Sequence, residues 1–158
     1  MYYECQNNFL PNDQYTYIKN TLLDEKFPWY KANNLNCFKH IFYKDSKVSS
    51  PYISLIDCFK NQPNKPLITA TAFFIPPMKE EYEVISNREL LNNDETVLTF
   101  HVNTNDGHTI LPSINKKFES VQNRAIFTDC NISLVETCPV TYGYRIFFTF
   151  LYKNYDFK

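Results

Sequence analysis

Glycine is almost missing from this chain: 158 residues hold only two, Gly107 and Gly143. That scarcity excludes the glycine-rich loops that cradle phosphates and the Gly-x-Ser-x-Gly elbow of a nucleophilic serine. Cysteine is sparse and unpatterned. The five thiols, at 5, 37, 58, 130 and 138, are odd in number and contain no Cys-x-x-Cys. They fit neither a disulfide framework nor a zinc knuckle, and buried free thiols are the expectation. No excess of one charge exists either. Sixteen basic and 17 acidic residues give a net charge of -1, with no basic run, so nothing points to a nucleic-acid partner. No apolar stretch approaches the ~20 residues that cross a bilayer. The opening "MYYECQNNFLPND" has neither the basic region nor the apolar core of a signal peptide. The expected location is therefore intracellular, in the producing or infected cell, or inside a particle assembled there, with no membrane partner.

Aromatic residues are abundant instead: 14 Phe and 12 Tyr against one Trp. Hydrophobic residues make up 44% and charged residues 21%, a globular composition. The length suits one domain, 1–158, able to bury a substantial core. The wealth of Phe, Tyr, Asn, Ile and Lys suits an AT-rich genome, as many viral and bacterial genomes are.

Two helices are expected, at about 11–24 and 50–61. Asn12 or Asp13 can cap the first, Tyr15, Ile18, Leu22 and Leu23 form its apolar stripe, and Pro28 bars its extension. Ser49 or Ser50 can cap the second, with Pro51 at its first position and Pro63 and Pro66 closing it. Trp29-Tyr30 and the aromatic, β-branched "LNCFKHIFYK" (35–44) read as extended. From about residue 66 the chain is strand after strand. "PLITATAFFIPP" alternates Thr69, Thr71 and Phe73 with Ile68, Ala70, Ala72 and Phe74. "TFHVNTNDGHTIL" (99–111) reads as a hairpin turning at Asn105-Asp106-Gly107. "KKFESVQNRAIFTDCNISLVET" holds two or three short strands, and "YGYRIFFTFLYK" is a long last one. Two helices followed by about eight short strands predict a β-rich α+β fold, a sandwich or barrel carrying helices on one side.

The order of these segments resembles the small 2-oxoglutarate- and Fe(II)-dependent oxygenases of the prolyl-hydroxylase-like group, especially compact versions in marine phages. Three stretches carry the likeness: "NNFLPNDQYTYIKNTLLDEKFPWY", then "VNTNDGHTIL" with "KKFESVQNRAIFTD", and "YGYRIFFTFLY". The resemblance implies a double-stranded β-helix, a cupin-like jelly-roll with two helices packed on one sheet. It also implies iron held by a His-x-Asp and a later His, and an arginine on the last strand pairing with the far carboxylate of 2-oxoglutarate. Arg145 stands at the arginine's position. The ligands do not match. The His-x-Asp position falls near Asn87, Arg88, Glu89 and Leu90, and the distal His near Leu134, between Ser133 and Val135. None of these is histidine, and the amide of Asn87 is a poor Fe(II) ligand. On the cavity-lining face of "LITATAFF", Thr69, Thr71 and Phe73 replace larger polar residues.

His101 and His108, across the expected turn, are the remaining imidazoles near this region. Two imidazoles alone make a weak centre, and sheet-filling roles are expected for both. His40 has no partner at ligand spacing. Cys130 has no neighbouring base, and the acidic "MKEEYE" reads as a solvated loop.

The resulting expectation is an oxygenase fold without its iron triad, a pseudoenzyme with no cofactor. It would serve as a structural or protein-interaction component, in a phage or virus, and associate or self-associate through aromatic surface and sheet edges such as the tail "FFTFLYKNYDFK". The alternative is an active Fe(II)/2-oxoglutarate dioxygenase with displaced ligands, drawn from Asn87, Glu89, His101 and His108 beside Arg145. A third reading is a module in which Arg145 binds a small carboxylate without turnover.

Overall fold

Alternation in the last strand sets the layers of the molecule. Ile146, Phe148, Phe150 and Tyr152 are fully buried on one face, beneath the helices. Arg145 and Phe147 are fully buried on the other, between the two sheets. The chain is a computed structural model that describes residues 2–33, 35–60, 62, 64–86, 95–129, 131–141 and 143–153.

The elements run β1 (Tyr3–Asn7), α1 (Asn12–Leu23), β2 (Tyr30–Lys31), β3 (Phe38–Lys44), β4 (Lys47–Val48), a 3-10 helix (Ile53–Phe59), β5 (Leu67–Ile75), β6 (Glu83–Ser86), β7 (Glu95–His101), β8 (Asn105–Leu111), β9 (Lys116–Ser120), β10 (Arg124–Asp129), β11 (Val135–Thr137) and β12 (Arg145–Lys153). The major sheet orders them β1-β10-β7-β12-β5-β3-β2, with β4 paired to β3, and the minor sheet β6-β11-β8-β9. All pairings are antiparallel. This is the expected jelly-roll with helices on one sheet, and eight strands follow residue 66.

Several local expectations need correction. β1 and β4 precede residue 66 along with the anticipated β2 and β3. The second helix is a tighter 3-10 helix, Ile53–Phe59, without a side-chain cap; Ser50 Oγ accepts the Tyr52 N–H at 3.0 Å and faces His40. The first helix likewise has Pro11 at its N-cap and no side-chain cap. Its stripe buries Tyr15, Ile18 and Leu22 but leaves Leu23 exposed. Among the thiols, Cys37 and Cys138 are buried, Cys58 is half-buried and Cys5 is exposed, all free; Cys130 lies outside the described residues.

The expected hairpin at 99–111 is the largest correction. β7 pairs with β10 and β12, whereas β8 pairs with β9 and β11 in the other sheet. The chain crosses between sheets at Val102–Thr104, where Asn103 copies a strand: its Oδ1 accepts the Ile146 N–H at 2.7 Å and its Nδ2 donates to the Tyr144 carbonyl at 2.8 Å. Asn105-Asp106-Gly107 is therefore no turn but an irregular stretch of β8. Asp106 is held there by the Val140 and Thr141 amides, which donate to its carboxylate at 3.0 and 2.7 Å.

Asparagine takes over the left-handed positions that glycine would usually fill. Asn8, Asn64, Asn115 and Asn123 all have positive φ, as do Asp45 and Ser46. Asn123 also clamps the start of α1, accepting from the Leu10 N–H and donating to the Leu10 carbonyl, each at 2.9 Å.

The layer between the helices and the major sheet is a stack of rings. Phe59, fully buried, touches Phe9, Phe100, Phe148 and Phe150, with the Phe150 ring centroid 4.4 Å away. The Tyr152 hydroxyl donates to the Phe59 carbonyl at 2.7 Å and fixes the 3-10 helix to β12. The tail strand expected to reach for other chains is thus central: β12 is paired on both sides, and residues 154–158 lie outside the described residues. No described helix is long and apolar enough to cross a membrane. Replacing Phe59 with Ala should cost about 3–5 kcal/mol, read as a lower urea midpoint with an unchanged slope.

Candidate functional site

Five side chains with polar groups meet between the sheets, and four strands supply them. β7 provides Thr99 and His101, β8 provides Thr109, β11 provides Glu136 and β12 provides Arg145. All five are essentially excluded from solvent. They arise on inward positions of strands whose neighbours are apolar, so period-two alternation aims them at one another. Glu136 and Thr109 are direct cross-strand partners, and His101 is opposite Phe147.

Arg145 is the hub. One terminal nitrogen, Nη2, donates to Glu136 Oε2 at 2.6 Å and to Thr109 Oγ1 at 3.0 Å. The other, Nη1, donates to the carbonyls of His108 and Thr137, both at 2.8 Å. A guanidinium has five N–H groups. All four terminal ones are used here, and Nε alone lacks a partner. The guanidinium carbon also lies 4.8 Å from the centre of the Phe147 ring.

The close approach of Arg145 to β8 needs Gly107. A Cβ there would fall 2.9 Å from Arg145 Cδ and 2.9 Å from the Thr137 carbonyl oxygen. One of the chain's two glycines is thus explained by packing rather than by turning.

Thr109 fixes the proton positions. Its single hydroxyl proton goes to Glu136 Oε2 at 2.7 Å, so it accepts from Arg145 and from His101 Nε2, the latter at 2.9 Å. His101 must then be the neutral Nε2–H tautomer, with a lone pair on Nδ1 that makes no hydrogen bond. Burial holds the His101 pKa well below its usual value, and the positive charges of Arg145 and Arg124 push the same way, against a weaker pull from the Glu119 backbone. Burial also raises the Glu136 carboxyl, while Arg145 first, then the Thr109 and Thr99 hydroxyls, pull it back.

His108 faces away from this cluster. Its Nδ1 meets Glu81 Oε1 at 2.7 Å near the surface, where Thr137 and Lys117 also reach Glu81. The two histidines that flank the supposed turn therefore do not converge. Glu81 belongs to the acidic stretch read as a solvated loop; it is exposed there and is also tied to the minor sheet through His108 and Thr137. Leu134, at the expected distal-histidine position, is buried with Val97, Leu111 and Ile132. Asn87 and Glu89 lie outside the described residues. Among the described residues, no three His, Cys, Asp or Glu side chains are grouped to hold a metal ion.

Glu136 was missed from sequence alone. Its signal is a lone carboxylate inside the apolar run "ISLVETCPV", at an inward position opposite a threonine. His40 was also set aside, yet its Nε2 lies 2.7 Å from Ser50 Oγ and its Nδ1 lies 2.7 Å from the Pro28 carbonyl oxygen. Ten residues separate this serine and histidine, and only the β3–β4 excursion brings them together.

No family model matches the sequence, and no curated protein does. Solved structures do match. A viral collagen prolyl hydroxylase from Paramecium Bursaria Chlorella virus-1, in complex with 2-oxoglutarate, is 13% identical, with a TM-score of 0.62 over 99% of this chain and 97% of that one. A prolyl-4-hydroxylase from Pseudomonas putida is 12% identical, with a TM-score of 0.67 over 97% and 92%. A 2-oxoglutarate-Fe(II) oxygenase-family oxidoreductase from Burkholderia pseudomallei is 8% identical, with a TM-score of 0.70 over 98% and 85%. At such identities the likeness establishes the fold, and the fold is the oxygenase jelly-roll.

The neutral His101 gives a pH dependence with a definite sign. Unfolded histidine titrates near 6.5, so below that pH the unfolded chain binds a proton that the folded chain refuses. Stability should be level above about pH 7 and fall on acidification, by at most about 1.4 kcal/mol per pH unit from this residue. Urea melts at pH 7 and about pH 5.5 should show this loss, and His101→Gln should make it smaller.

Proposed function

We propose that this chain is a member of the 2-oxoglutarate/Fe(II) oxygenase family that is non-catalytic as an oxygenase and works as a structural or protein-interaction component. One observation carries the reading: the guanidinium of Arg145 is already occupied by a carboxylate from its own chain. In the fold's enzymes, by the resemblance above, an arginine on the last strand grips the far carboxylate of 2-oxoglutarate. Here Glu136 lies against Nη2, the Thr109 hydroxyl donates to the same oxygen, and two backbone carbonyls take Nη1. The residues present do not fit a 2-oxoglutarate carboxylate at Arg145, because none of the four terminal N–H donors is open to it. The apolar Leu134 at the expected distal-ligand position supports the same reading.

Exposed aromatics support an interaction role. Tyr2 and Tyr3 sit at β1 and Tyr30 on β2, the two ends of the major-sheet order, and they are 54%, 37% and 61% exposed. Large rings beside sheet edges favour contact with another protein surface. An aromatic-rich component of a phage or other virus fits this composition.

The rival reading is an active dioxygenase with displaced ligands, and the unbonded Nδ1 of His101 inside the barrel favours it. Three measurements separate the readings. Purified protein supplied with Fe(II), 2-oxoglutarate and oxygen should form no succinate above a protein-free control. Addition of 2-oxoglutarate at up to millimolar concentration should leave the melting temperature unchanged. The Glu136→Ala variant should instead be stabilised by acetate or succinate, which can refill the vacated place beside Arg145. Succinate formation by the unaltered chain would overturn the proposal, and protection by 2-oxoglutarate without turnover would make the chain a carboxylate-binding module.

A further inference from the structure

We propose that Ser50 and His40 form a nucleophilic pair that accepts acyl groups from small, negatively charged esters, in a groove beside β3. The pair shares no residue with the Arg145 cluster, so the two proposals stand or fall separately.

The hydrogen bonds fix the direction of proton flow. A carbonyl can only accept, so the 2.7 Å contact of His40 Nδ1 with the Pro28 oxygen places the imidazole proton on Nδ1. The neutral ring then offers its Nε2 lone pair to the Ser50 hydroxyl, 2.7 Å away. This is the serine–base–orienting-group arrangement that activates a hydroxyl, with a backbone carbonyl in the third place. The Tyr52 amide donates to Ser50 Oγ at 3.0 Å, which uses one lone pair and leaves the other for attack. Phe27 and Phe42 flank the imidazole, each with its ring centroid 4.7 Å away, and lock its orientation. Burial lowers the His40 pKa, which keeps the ring in the neutral form a general base needs.

The groove defines the ligand class. It has a volume of about 490 Å³, and both Ser50 and His40 line it. Tyr30, Ile41 and Pro51 supply apolar wall, Lys39 and Lys44 supply positive charge, and none of the residues lining it is acidic. Such a groove suits a short acyl chain bearing an anionic group.

In the reaction, Ser50 Oγ bonds to the ester carbonyl carbon while its proton passes to His40 Nε2. That proton then goes to the leaving alcohol as the acyl–oxygen bond breaks. Water, deprotonated by His40, later releases the acid and restores the hydroxyl.

The test uses the full chain and a fluorophosphonate probe, whose phosphorus bonds to the serine oxygen as fluoride leaves. Peptide mapping by mass spectrometry then compares Ser50 with exposed Ser49, an internal control in the same folded molecule. Ser50 should label at least about 100-fold faster, the lower end of what a general base contributes. His40→Gln should remove that advantage. In parallel, p-nitrophenol should be released faster from a p-nitrophenyl ester of a dicarboxylic acid than from p-nitrophenyl acetate. Labelling of Ser50 no faster than Ser49 in the folded wild-type chain would overturn the proposal even if the His40 variant does not fold. Equal rates on the two esters would overturn the assigned substrate class.

Discussion

A buried ion pair, Glu136 with Arg145, organises the inside of this jelly-roll. Placing two charges where there is no solvent is costly unless geometry and further hydrogen bonds offset the loss of water. Both conditions are met: the contact is 2.6 Å, and Thr109, Thr99 and two backbone carbonyls surround it. The pair also ties β11 in the minor sheet to β12 in the major sheet. It therefore fixes how the sheets face one another, whereas the apolar residues between them fall into two separate clusters. Gly107 and the neutral tautomer of His101 both follow from the pair, since one makes room for the arginine and the other fits the hydroxyl that serves the carboxylate.

The opposite face of the major sheet depends on no polar contact of this kind. Its ring stack under α1 and the 3-10 helix accounts for much of the abundance of phenylalanine. Stability and any function are thus divided between the two faces of one sheet. The helix-side layer supplies most of the hydrophobic burial, with the His40–Ser50 pair at its margin, and the inner face carries the Arg145 cluster.

Much of this was legible in the sequence. The stripe of Tyr15, Ile18 and Leu22 gave α1, and the alternation in "LITATAFF" and "RIFFTFLY" gave the central strands. The order of segments gave a sandwich or barrel, and its resemblance to the oxygenase family implied the jelly-roll. The crossing at Val102–Thr104 was not legible, because Asn-Asp-Gly ordinarily signals a tight turn. Here Asp106 instead accepts two amides from a segment more than 30 residues later, and Gly107 serves packing. Periodicity carries no information about such distant partners. The same holds for Glu136 with Arg145 and for Ser50 with His40, whose meaning lies in hydrogen bonds made only after the sheets form.

The account turns on whether Glu136 and Arg145 act as one unit, and a double-mutant cycle measures that directly. Glu136→Gln, Arg145→Met and the combined variant would be compared with the unaltered chain by urea unfolding. Each single change should cost about 3–5 kcal/mol, and the double change should cost much less than their sum, because breaking one partner strands the other. Costs that simply add would mean that the two side chains are not coupled, and that the guanidinium of Arg145 is open to another carboxylate.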